Sequence, residues 1–82
     1  NVNVRLAAVD ALRNFATEPA ARRGLVDALG KQNSPLVQVA IIDTLVDLKV
    51  KQAVPAFRSL EGQPEISPEV KQRAQFAVQR LQ

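Results

Sequence analysis

Two carboxylates 33 residues apart, Asp10 and Asp43, are the first side chains in this chain whose type and spacing suggest chemistry. A pair of acids can divide general-acid and general-base work when their surroundings drive their proton affinities apart. Here both acids sit in one local pattern, Val9-Asp10-Ala11-Leu12 and Ile42-Asp43-Thr44-Leu45. A repeated setting repeats a local task, so helix solubility or a loop hydrogen bond is the expected role of each. Among the cations, the longest run is the pair Arg22-Arg23. Gly24 follows it, but no glycine-rich phosphate loop surrounds that residue. A glycine inside a helix costs ~1 kcal/mol relative to Ala, so close approach of a neighbouring helix is its expected reason. Histidine and cysteine are absent. That removes the usual base near neutral pH, the usual metal ligand, and any thiolate or disulfide. The expectation is a non-enzyme with no catalytic, cofactor-binding or metal-binding residues.

The elements that hold these side chains recur. Val4-Arg5-Leu6-Ala7-Ala8-Val9-Asp10-Ala11-Leu12 returns 33 residues later as Val37-Gln38-Val39-Ala40-Ile41-Ile42-Asp43-Thr44-Leu45. It returns more loosely as Val70-Lys71-Gln72-Arg73-Ala74-Gln75-Phe76-Ala77-Val78. A period of this length marks stacked helical units, each too small to bury its own apolar face. Five helices are expected. α1 covers about residues 3–16, with Asn1 or Asn3 as N-cap. α2 starts after Thr17-Glu18-Pro19 and runs to Leu29, closed by Gly30 in the left-handed conformation. α3 opens at Ser34-Pro35 and carries residues 37–48. α4 covers about 52–61, with Pro55 in its first turn and Gly62 at its end. α5 opens at Ser67-Pro68-Glu69 and carries residues 70–81. In α3 and α5 serine caps the helix and proline takes the first turn, where its missing N–H does no harm.

Each odd-numbered helix carries an apolar stripe at helical spacing. In α1 it is Val4, Ala8, Ala11, Leu12 and Phe15; in α3, Val37, Ile41, Thr44, Leu45 and Leu48; in α5, Val70, Ala74, Ala77, Val78 and Leu81. Each stripe is expected to pack against the second helix of its own unit. A second flank reads Leu6, Val9 and Arg13 in α1, Val39, Ile42 and Val46 in α3, and Gln72, Gln75 and Gln79 in α5. Helix α3 therefore reads as enclosed from two directions. The glutamines of α5 read as the wettable end of a stack that stops at or soon after Gln82. Phe76 lies off its stripe, so it folds over the edge of the stack or reaches a partner. Leu6 and Val9 face α3, or an upstream segment covers part of α1.

With 82 residues the chain makes one domain, residues 1–82, in repeats of about 1–30, 34–62 and 67–82. It begins with Asn and contains no Met, which reads as a piece of a larger protein attached to further domains. Its net charge of +3 is small and scattered, the mark of a solvated surface of mixed sign rather than a nucleic-acid face. No apolar stretch approaches the ~18–20 residues that cross a bilayer, so no membrane contact is expected of this segment.

The template Val4-Arg5, Ala8, Ala11-Leu12 and the segment Ala53-Val54-Pro55-Ala56-Phe57-Arg58-Ser59-Leu60 resemble a HEAT repeat. The period is shorter than the ~40–47 residues common for that type and is similar to the compact bacterial variety found in phycobilisome lyases. Gln38 and Lys71 depart from the arginine of Arg5, and Phe76 from the aspartate of Asp10 and Asp43. The resemblance implies an all-α fold, a right-handed α-α superhelix or HEAT-like solenoid of two and a half repeats. It implies a protein–protein interaction scaffold whose second helices line a concave surface. That places Arg22, Arg23, Asp27 and Arg58 as partner contacts, with Lys51, Glu61 and Val26 near them. Guanidinium groups suit carboxylates and phosphates because their donors form a planar fork. Two other readings follow: phosphate-backbone binding by these basic helices, and a subunit similar to a bilin lyase.

Overall fold

The computed structural model describes every residue except Ala16. Among the described residues five α-helices form: α1 Val2–Arg13, α2 Pro19–Lys31, α3 Pro35–Asp47, α4 Val54–Glu61 and α5 Pro68–Leu81. A 3-10 turn, Lys51–Ala53, leads directly into α4. No strand occurs among the described residues. The expected all-helical class and helix number are those observed. The expected extension of α1 to residue 16 lies partly outside the described residues, and the helix closes earlier, with Asn14 as C-cap.

Helix starts follow their local chemistry. The Asn1 side-chain oxygen accepts from the amides of Asn3 at 2.8 Å and Val4 at 3.4 Å, and Ser67 Oγ accepts from Val70 N–H at 3.2 Å. Such caps satisfy amides that a first turn otherwise leaves without partners. Pro19, Pro35 and Pro68 begin their helices, and Pro55 sits second in α4. Ser34 has the extended backbone of an N-cap, but its side chain makes no cap bond.

The end of α2 differs from the expectation, and the end of α3 takes a form the sequence analysis did not name. Helix α2 runs through Gly30 to Lys31 and stops where Gln32 turns extended, at φ −82° and ψ 142°. Gly30 is therefore an interior residue and not a left-handed cap. The one positive φ among the described residues belongs to Lys49, at 56°. Past the end of α3, Lys49 N–H donates to Val46 C=O at 3.0 Å and Val50 N–H to Leu45 C=O at 3.0 Å. That pair of bonds is a Schellman motif, which needs a left-handed residue and brings the residue after it back onto the helix. Val50 and Leu45 are both buried.

Helices α1, α3 and α5 lie side by side in that order, with α2 against α3 and α4 against α5. The Cα extents are 32 × 31 × 16 Å, and the short dimension suits two helix layers at interaxial distances of ~8–10 Å. The core is centred on α3, where Val37, Ile41, Ile42, Thr44 and Leu45 are all buried, and Leu25, Leu29, Phe57, Leu60 and Val70 converge on it from α2, α4 and α5. Val39 and Val46 are half-buried, so the second flank of α3 is covered as expected. Helix α5 buries its whole stripe and exposes Gln72, Gln75 and Gln79.

Two packing expectations are corrected. Helix α3 packs on the second helix of the preceding unit, α2, and α5 likewise on α4. Helix α1 turns its other flank inward: Val9 is buried and Leu6 half-buried, while Val4, Ala8, Ala11 and Phe15 of its stripe are exposed. The reason is positional. A stripe is buried where a preceding unit covers it, and among the described residues nothing covers that of α1.

Candidate groove on helix α2

Beside the buried Leu25 and Leu29, one flank of α2 carries Arg22, Arg23, Val26 and Asp27. Positions four apart on a helix share one side, so Arg22 with Val26 and Arg23 with Asp27 form two adjacent rows. Together with Pro19 of the same helix and Val50 and Gln52 from the α3–α4 connection, they line a cavity of about 320 Å³. Val26 is half-buried and Val50 buried, while Arg23, Asp27 and Gln52 are exposed. The hollow thus has an apolar floor and mixed charge on its rim. Val50 reaches it because the left-handed Lys49 folds it back over Leu45. Three of the four expected contact residues, Arg22, Arg23 and Asp27, come together here. Arg58 is exposed on α4 and does not line the cavity, and neither do Lys51 and Glu61.

Gly24 does not mark a close helix approach. A Cβ built there meets no atom within 4 Å, and the residue is exposed.

The paired carboxylates serve helix contacts. Asp43 Oδ1 lies 3.1 Å from Arg73 Nε and ties α3 to α5. Asp10 approaches Arg13 of its own helix, at 3.9 Å, with a side chain 85% exposed. Arg13 instead reaches forward, donating from Nη1 to Asp47 Oδ2 at 3.0 Å and from Nη2 to Thr44 Oγ1 at 2.9 Å. Thr44 hydroxyl donates in turn to Ala40 C=O at 2.8 Å.

A second polar cluster has no counterpart in the sequence reading. Arg5 Nη1 donates to Gln32 Oε1 at 3.0 Å, and Gln38 Nε2 donates to the Gln32 carbonyl at 2.9 Å. Arg5 and Gln38 occupy the same template position one repeat apart, and both hold Gln32, one through its side chain and the other through its backbone carbonyl. Gln38 is buried, so this position is an internal anchor rather than a solvated one. Arg5 Nε is buried and has no hydrogen-bond partner among the described residues.

Between α3 and α5 a hollow of about 330 Å³ is lined by Val39, Glu69, Gln72, Arg73 and Phe76. Phe76 is 46% exposed, and the Arg80 guanidinium carbon stands 5.7 Å from its ring centre, within cation–π range.

Among the described residues, no three His, Cys, Asp or Glu side chains are placed to hold a metal ion, and no helix is long and apolar enough to cross a membrane. Comparison with known proteins returns no match for the chain, whether among family models, curated proteins or solved structures.

Proposed function

We propose that this chain is a short HEAT-like α-solenoid, two and a half units of a right-handed α-α superhelix, that acts as a non-catalytic scaffold for a protein partner. The side-by-side order of α1, α3 and α5, with stripes in a 33-residue register, supports the solenoid. The observation that carries the functional reading is the α2 groove. It joins an apolar floor, Val26 and Val50, to two guanidinium groups and a carboxylate within one cavity. An apolar side chain flanked by acids is the ligand chemistry it fits. The floor excludes water from the contact, and the planar fork of Arg23 pairs with carboxylates.

The test is affinity capture from the source organism's lysate, identification of the bound protein, and titration of that protein against variants. Arg23→Glu is expected to weaken binding ~10-fold or more, equivalent to about 1.4 kcal/mol, while the exposed position moves stability by no more than ~0.5 kcal/mol. Unchanged affinity would remove the groove as the contact. Binding to DNA or RNA that falls steeply with salt would replace this reading with one of phosphate contacts.

A further inference from the structure

Helix α1 presents an apolar face that no other described residue covers. Val4 is 66% and Phe15 53% exposed, and Ala7, Ala8 and Ala11 between them are exposed as well. One and two repeats later the positions of Val4 are held by Val37 and Val70, which are 1% and 0% exposed. Those of Ala8 and Ala11 are held by Ile41 and Thr44, and by Ala74 and Ala77, all buried. The cover is the same in both cases. Helix α3 lies against α1 and α2, and α5 lies against α3 and α4. Each is roofed by both helices of the unit before it.

We propose that the open face of α1 is the docking site of one further two-helix unit of this same repeat, joined ahead of α1 through a short loop. This goes beyond the scaffold reading and does not depend on the α2 groove. The internal interfaces supply the argument, because the same template positions are buried wherever a preceding unit exists. The connection is geometrically ready. Only Gln32, Asn33 and Ser34 separate α2 from α3, so a preceding unit hands the chain directly to the start of the next odd-numbered helix. Chemistry argues against a second copy as occupant. The flank that a copy of this chain would offer in the same stacking sense is that of α5, with exposed Gln72, Gln75 and Gln79. Where α1 and α3 present Leu6 and Val9, or Val39, Ile42 and Val46, that flank would bury amides against Val4 and Ala11 without partners, which is costly.

The test places a copy of residues 1–33 directly ahead of Asn1, so that the 33-residue register continues into the full chain. The amides of residues 4–12 in the receiving helix are expected to exchange at least ~10-fold more slowly than in the 82-residue chain. The copied Arg13 arrives opposite Ala11 and Asn14, where the native interface offers Thr44 and Asp47. A second fused chain with Ala11→Thr and Asn14→Asp in the receiving helix restores those partners and is expected to gain further protection. Unchanged exchange in both fused chains overturns the proposal. Concentration-dependent dimerisation of the 82-residue chain that Val4→Glu abolishes would assign the face to a second copy and overturn it as well.

Discussion

Lys49→Gly is expected to stabilise the protein, although it deletes a side chain and adds glycine to a helix end. Lys49 has φ 56°, where an L-residue crowds its Cβ against the following carbonyl at a cost of roughly 1–2 kcal/mol. Glycine avoids that cost but loses more freedom on folding, which takes back about 0.4–1 kcal/mol. The two bonds that close α3, from Lys49 to Val46 and from Val50 to Leu45, involve the backbone alone and survive the change. Taken at their midpoints the two terms leave a net gain of about 0.8 kcal/mol. At ~4–8 °C per kcal/mol for a domain of this size, thermal unfolding followed by circular dichroism should rise by about 3–6 °C. Lys49→Ala is the control, because alanine removes the charge yet keeps the Cβ. A gain from alanine equal to that from glycine, or no gain from glycine, would refute the handedness argument. The same turn carries Val50 into the α2 groove, so partner affinity should be unchanged in the glycine variant.

Gly24→Ala and Gly30→Ala place a methyl group in open space within α2 and should each add ~0.5–1 kcal/mol in urea unfolding; a loss at either position would mean that a neighbour approaches it in solution. A double-mutant cycle on Arg13→Ala and Asp47→Ala should give a coupling of ~0.5–1 kcal/mol, modest because both side chains are partly exposed and such pairs are solvent-screened. Zero coupling would show that the contact is not held in solution.

Periodicity made the five helices, their prolines and the stripes of α3 and α5 legible in residue order. Val37, Ile41 and Leu45, or Val70, Ala74 and Val78, recur at a spacing that only a helix aligns on one side. The groove was legible in part, since Arg23 and Asp27 are four apart on α2 and Arg22 adjoins them, whereas Arg58 lies on another helix and lines none of it. Gly30 misled because local propensity names residues able to cap, while the cap forms where packing ends the helix. Gln32 is held extended by Arg5 and Gln38, and Lys49 is bent left-handed by the burial of Val50.

Local order along the chain therefore determined which segments are helices and which of their sides are apolar. Tertiary structure alone decided which apolar side is covered, because burial depends on whether another helix stands over it. The stripes of α1 and α3 follow one template, yet Val37 is buried and Val4 open to water. The difference lies in their neighbours, which no single helix encodes.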